Sequence, residues 1–225
     1  MNFTTTKKTI LKDLQTLSKV IPLRSTLPIL SCVYLNKNTE GFLYLKASDL
    51  EQTVIINTKI KFSGERAAAI PLSKILEIVS ALPEEMEINF SLKENEEINI
   101  SSGAGNYKIS GKNPEEYPET PKIKTKEEIK LHADDLLDLI KKTTYATSKD
   151  DLKPALTGVY FNIKEGQITA VSTDGHTLVK YKKKIINPNK TEQSIIIPAK
   201  FLNILKKTIK KTGDVVIDVD EDHIT

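Results

Sequence analysis

Ser172-Thr173-Asp174-Gly175-His176 is the stretch whose residue types come nearest to a catalytic set. A carboxylate and an imidazole two residues apart share one side of an extended segment. With a hydroxyl beside them they would be the acid, base and nucleophile of a hydrolase, but spacing alone does not supply the geometry of a triad. Asp-Gly is first of all a turn, and the related stretch Ser48-Asp49-Leu50-Glu51 keeps the Asp without a His. His132 and His223 stand alone in strand-like segments, and no pair has metal-ligand spacing. Ser102-Gly103-Ala104-Gly105 lacks the Lys and following helix of a phosphate loop. The acids at Glu94–Glu97 and Asp218–Asp222 do not follow the EF-hand order and read as solvated turns. The expectation is a protein with no catalytic residue, no metal and no cofactor.

The elements that carry these residues occur twice. Leu27-Pro28-Ile29-Leu30-Ser31-Cys32-Val33-Tyr34-Leu35-Asn36 returns as Lys153-Pro154-Ala155-Leu156-Thr157-Gly158-Val159-Tyr160-Phe161-Asn162. Ala47-Ser48-Asp49 returns as Ser172-Thr173-Asp174, and Ile70-Pro71 as Ile197-Pro198. A period this long is a duplicated domain rather than a solenoid repeat. Each copy reads as strand, helix, three strands, then strand, helix and further strands. In the first copy the helices are expected at Lys7–Val20 and Leu72–Leu82, with a strand at Ile29–Leu35. In the second they are expected at Ala133–Ala146 and Ala199–Lys211. The Pro-, Glu- and Lys-rich run from Gly111 to Lys126 reads as a linker. The domains are drawn as 1–120 and 129–225, with 121–128 between them. Ile224 stands where Ile98 stands in the first copy, so the second copy is expected to lack its last strand and the chain to be a piece of a longer one.

Composition is that of a soluble globular chain, 39% hydrophobic and 28% charged. No run reaches the roughly 18–20 apolar residues of a membrane span, and Met1–Lys8 has no apolar core of a signal peptide. A single cysteine, Cys32, excludes a disulfide and reads as a small buried residue. A reducing compartment, the cytoplasm, is expected. Net charge is only +3, too small to identify a polyanion partner, but its placement is informative. On a helical wheel Ile10, Leu14, Leu17 and Ile21 fall together, opposite Lys8, Lys12 and Lys19. In the last helix Phe201, Leu205 and Ile209 make the stripe, opposite Lys200, Lys207 and Lys211. A solvated lysine face is the plain reading of either helix. Repetition favours a surface facing phosphates, which lysine attracts without reading sequence. No platform of aromatic and basic residues for single strands is evident.

Arg24-Ser25-Thr26-Leu27-Pro28-Ile29-Leu30, Ala47-Ser48-Asp49-Leu50-Glu51, Pro114-Glu115-Glu116-Tyr117-Pro118 and Thr173-Asp174-Gly175-His176 occur in this order. With these motifs the whole chain resembles the first two of the three domains of the bacterial DNA polymerase III beta-subunit family, the sliding clamps. The resemblance implies an α+β fold, two helices packed on antiparallel sheets in each domain. It implies head-to-tail homodimers in the full-length form, rings that encircle double-stranded DNA without sequence preference. The ring tethers the DNA polymerase III alpha subunit during replication, and the clamp loader and other proteins with a clamp-binding motif share its pocket. By the same resemblance Arg24 is a DNA contact, the corresponding loop of the second copy carries Lys149 and Lys153, and the wheel lysines Lys8, Lys12, Lys200, Lys207 and Lys211 are expected to face the phosphates. The partner-peptide pocket corresponds to Lys153, Leu156, Thr173, Gly175, His176, Thr177 and Leu178, where Lys153 and Thr177 replace frequent arginines. The family's aromatic pair is Pro154 and Ala155 here. The dimer interface corresponds to Lys74, Ile78, Tyr107 and Ile109, while Ala104 and Asn106 replace basic residues. The alternative is a naturally short clamp-like adaptor that binds partner peptides without closing the usual dimeric ring.

Overall fold

Strand β1 (Asn2–Thr6) runs without a break into helix α1 (Lys7–Leu17). The helix forms because Ile10, Leu14 and Leu17 recur on one face and are fully buried there. Strands β2 (Cys32–Lys37), β3 (Phe42–Ser48), β4 (Thr53–Ser63) and β5 (Ala68–Pro71) follow, then helix α2 (Leu72–Ala81). Strands β6 (Glu87–Leu92), β7 (Glu97–Ser102) and β8 (Gly105–Ser110) complete the set. The structure, a computed structural model, describes residues 1–22, 25–93, 95–120, 127–184, 192–219 and 223–225, and of residues 127 and 128 the backbone.

These strands form one antiparallel sheet in the order β5-β2-β3-β4-β1-β6-β7-β8. β4 makes this possible by its length of 11 residues. It pairs with β3 from Thr53 onward and with β1 at Phe62 and Ser63, shifting register between Phe42 and Leu43. Phe3 stacks on Phe90 at 4.5 Å between ring centroids, filling the core at the joint. The two ends of the sheet meet where Lys112 N–H donates to Ala69 O at 2.9 Å. Leu72, Ile75 and Val79 of α2 are buried, as are Leu45, Ile70, Ile88 and Ile100 of the sheet, and α2 lies against α1 and β5. Lys7 Nζ donates to Ser80 O and Leu82 O, at 2.6 and 2.8 Å, at the electronegative end of α2.

The second copy contains β9 (Glu127–His132), α3 (Ala133–Thr143), β10 (Gly158–Lys164), β11 (Gln167–Thr173) and β12 (Leu178–Lys184). It continues with β13 (Gln193–Pro198), α4 (Ala199–Thr208) and β14 (Asp214–Val219). Among the described residues these make a sheet β12-β11-β10-β13 and a pair β14-β9. Leu136, Leu139 and Ile140 of α3 and Leu202 of α4 pack on Ile129, Phe161, Ile168 and Ile197. Val219 at the end of β14 also forms an isolated antiparallel bridge with Ile224. The fold is therefore α+β, helices on antiparallel sheets, near-closed in the first copy, in two compact units, Met1–Thr120 and Pro121–Thr225.

Several boundaries differ from the sequence reading. Pro28–Ser31 forms a 3-10 turn instead of the start of a strand, because proline at its first position fixes a helical φ. α1 stops at Leu17, leaving Lys19 in a turn, and α4 stops at Thr208. Ile209 is already extended, with ψ at 130°, so Lys211 lies past the helix. The apolar face of α4 is wider than the expected stripe, since Leu202 and Ile204 are buried while Phe201, Leu205 and Ile209 are partly so. Residues 111–120 are bonded into the first unit, and β9 begins at Glu127, where its ladder with β14 reaches Val219. Residues 121–126 of the expected linker lie outside the described residues.

Candidate functional site

Lys8 and Lys12 stand exposed on α1, and Lys200 and Lys207 on α4. Lys8 lies 3.7 Å from Glu85, both side chains more than 70% exposed, a pairing that water and salt leave weak. Lys211 is exposed in the bend after α4 rather than in register with Lys207. Lys149 and Lys153 flank a tight loop. Ser148 Oγ accepts from Asp150 N–H at 3.0 Å, and Asp150 Oδ1 from Leu152 N–H at 3.1 Å. Leu152 is 90% exposed at its tip, and Lys153 N–H donates to Asp150 O. Arg24, Glu94 and residues 220–222 lie outside the described residues.

The Asp174 carboxylate serves the backbone. Its Oδ1 accepts from Thr177 N–H at 2.7 Å and His176 N–H at 2.9 Å, while Thr173 Oγ1 accepts from Gly175 N–H at 3.1 Å. Asp49 Oδ1 accepts in the same way from Gln52 N–H at 2.8 Å and Glu51 N–H at 3.2 Å, and Ser48 Oγ from Leu50 N–H. A turn built identically without a histidine is a structural device, and the hydrolase reading has no geometric support in it. The Thr177 and His176 N–H groups hold the Asp174 carboxyl below its usual range. A depressed pKa stabilises above the unfolded carboxylate value and the effect is lost as pH falls through the folded one. Asp174→Ala is expected to speed hydrogen exchange at His176 and Thr177 at neutral pH, and Asp174→Asn to retain most of the protection. In the wild type that protection should persist until the pH drops below the ordinary carboxylate range.

This turn brings part of the expected peptide pocket together. Thr173 and Leu178 face each other at the mouth of the β11–β12 hairpin. Gly175, His176, Thr177 and Leu178 are exposed, the last at 67%. Ser172 Oγ donates to Thr143 O at 2.7 Å and pins the hairpin to the end of α3. Leu156 sits half-buried in the 3-10 turn Pro154–Leu156, with Lys153 exposed before it. Of the expected interface residues, Lys74 is exposed on α2 and lies 3.5 Å from Glu77, and Ile78 is half-buried. Tyr107 is half-buried on β8 at the end of the sheet order. Ile109 is 7% exposed and so supports that edge from within its own unit.

Tyr117 was not singled out by residue type. The run Asn113–Thr120 lies across the face of the first sheet, and Tyr117 is 5% exposed beneath it. Its hydroxyl accepts from Ser48 N–H at 3.1 Å and lies within donating distance of Cys32 O and Lys46 O. Lys46 Nζ sits 4.9 Å from the ring centroids of Tyr34 and Tyr117 and donates to Pro118 O at 2.8 Å. Burial holds the Lys46 ammonium below its usual pKa and pushes the Tyr117 phenol up to about 12. A tyrosine between turn-forming prolines was the available signal. Cys32 is fully buried, and burial raises its thiol pKa.

Among the described residues no group of three or more His, Cys, Asp or Glu could hold a metal, and no helix is long and apolar enough to cross a membrane. Residues 1–121 match the family model of the DNA polymerase III beta subunit N-terminal domain, and residues 130–225 that of its central domain. The chain is 29% identical over 229 residues to the beta sliding clamp of Halalkalibacterium halodurans, covering 96% of this chain and 59% of that protein. It is 31% identical over 206 residues to the beta sliding clamp of Synechococcus elongatus, covering 89% and 54%. A crystal structure of the DnaN sliding clamp, DNA polymerase III subunit beta, from Pseudomonas aeruginosa superposes with a TM-score of 0.93 at 25% identity, covering 100% of this chain and 61% of that one. The chain thus spans about three fifths of the length of these relatives. With both domain models matched in order and the fold reproduced along the whole chain, it belongs to the bacterial DNA polymerase III beta-subunit family of sliding clamps, of which it carries the N-terminal and central domains.

Proposed function

We propose that this chain supplies two of the three domains of a protomer whose homodimer encircles duplex DNA and holds the replicative polymerase on its template. The observation that carries the reading is the repeated exposure of lysine on helices of both units, at Lys8 and Lys12 of α1 and at Lys200 and Lys207 of α4. Lysines attract phosphates without reading base edges, so the attraction survives translation along the duplex. Lys149 and Lys153 add positive charge from a loop, and Arg24 is a further DNA contact by the family likeness. Tethering raises the polymerase's effective concentration at the template without any covalent chemistry in this subunit. The exposed apolar Leu178 beside Gly175 and His176 fits a short segment of a partner, such as the polymerase alpha subunit or the clamp loader. The outer edge of β8, with Tyr107, and the α2 residues Lys74 and Ile78 fit the protomer contact. This activity belongs in the bacterial cytoplasm.

The test is topological. The protein, expressed from its full reading frame and loaded on nicked circular duplex, is expected to stay bound through a high-salt wash and to leave when the circle is cut. Equal retention on linear DNA with free ends would overturn the ring.

A further inference from the structure

The sheet of the second unit has a face turned away from α3 that the reading above does not use. The β ladders place three rows across it. Ile196, Tyr160, Val171 and Lys180 form the first. Ser194, Asn162, Thr169 and Lys182 form the second. Lys164, Gln167 and Lys184 form the third. A shallow groove of about 760 Å³ runs over these rows.

The positive charge on this face is only partly compensated, with Glu165 at the Lys164 end of the groove. Lys164 pairs with Glu192 at 3.2 Å, but Lys180, Lys182 and Lys184 are exposed and have no ion-pair partner among the described residues. Lys183, on the opposite face of the same strand, is fully matched by Asp135 at 2.8 Å and Asp138 at 3.9 Å on α3. The comb is also not part of the repeated scaffold. In the first unit β4 carries Ile55, Asn57 and Lys59 at the corresponding positions, and Tyr117 covers Tyr34 and Lys46 beside them. Guarding a sheet edge against pairing accounts for an isolated lysine. It does not account for three on one face, backed by a row of polar side chains and an exposed tyrosine.

We propose that this face binds single-stranded nucleic acid, independently of the ring and of the lysine helices. Alternate residues on a strand recur every 6.6 Å or so, a step that an extended sugar-phosphate backbone can follow one phosphate per lysine. Tyr160, 39% exposed, offers a ring on which a base can stack; Val171, Thr169 and Gln167 of β11 lie between its strand and the comb, and Asn162 follows it on β10. Lysine without arginine makes the contact indifferent to sequence. The groups form the pairing of aromatic and basic residues that the linear sequence hides, because they come from three strands.

The experiment is fluorescence anisotropy of a labelled oligothymidylate with the 225-residue chain. The triple variant Lys180→Gln, Lys182→Gln, Lys184→Gln is expected to bind at least about tenfold more weakly, with the log–log salt slope reduced by about 2, near 0.7 per lost contact. Lys182→Gln alone should produce about a third of that reduction. Tyr160→Ala should weaken binding and leave the slope unchanged. The helix variant Lys8→Gln, Lys12→Gln should lose affinity for duplex and keep it for the single strand, which separates this proposal from the clamp reading. Unchanged binding by the triple variant overturns the proposal. So does displacement by poly-glutamate as effective as by an oligonucleotide of equal charge, which would assign the face to an acidic protein segment instead.

Discussion

Changing Lys8, Lys12, Lys200 and Lys207 together to glutamine is expected to cost on the order of a hundredfold in duplex affinity near 100 mM salt and to flatten the salt dependence by up to about 0.9 per lost contact. The expectation follows from exposure: all four side chains are exposed on helices whose opposite faces are buried, so their loss removes charge without disturbing the core. Glutamine keeps helix propensity close to that of lysine, and the thermal midpoint should barely move. Affinity should fall by a similar factor for every duplex sequence, since no base edge is read. Titrating labelled duplexes of differing sequence at several salt concentrations checks both statements. A sequence-dependent loss, or an unchanged slope, would remove the lysine faces from the DNA contact.

Tyr117→Ala is expected to destabilise the first unit by about 3–5 kcal/mol, the usual cost of emptying a buried aromatic site. The loss strands Ser48 N–H and removes one of the two rings that flank Lys46 Nζ. An unsatisfied buried donor alone costs about 1–3 kcal/mol, which is the range expected of Tyr117→Phe. Urea unfolding followed by hydrogen exchange should show the first unit opening at lower denaturant while protection of β10 and β11 stays unchanged. The phenol also sets an alkaline limit. Its pKa is raised to about 12, so its contribution is complete below the unfolded value near 10 and disappears as pH climbs through about 12. Tyr117→Phe should abolish that part of the alkaline transition.

The duplication was legible because it needs only residue identity: Pro28, Leu30, Val33, Tyr34 and Asn36 return as Pro154, Leu156, Val159, Tyr160 and Asn162. The helices were legible from their apolar period, as Ile10, Leu14 and Leu17 show. Their ends were not. Lysines at 206, 207, 210 and 211 continue a helical pattern, whereas the chain must turn at Gly213, with φ at +104°, to enter β14. The strap at residues 113–120 read as linker because Pro, Glu and Lys are what linkers contain, and its anchoring depends on Lys46 and Ser48, far away in sequence. The face of β10–β12 was hidden for the same reason, since Tyr160 and Lys180 meet only through two ladders of pairing. The turn at Asp174 was legible as a turn. That its carboxylate serves the backbone needed its bonded geometry, compared with the like-built turn at Asp49 in the first unit.

β1 is the first strand in the chain, yet it lies in the interior of the sheet, between β4 and β6. When the ribosome releases it, neither neighbour exists. Ser63, whose hydroxyl donates to Asn2 O, is 61 residues further on. At about 5–20 residues per second its synthesis takes several seconds, and Leu92, whose N–H donates to Met1 O, is made later still. The second unit repeats the order, since β9 waits for β14. Each unit must therefore be made almost whole before its first strand has a place to go. Such far-reaching pairing folds slowly, and the nascent chain spends that interval with Phe3 uncovered, a natural point for a chaperone to hold it.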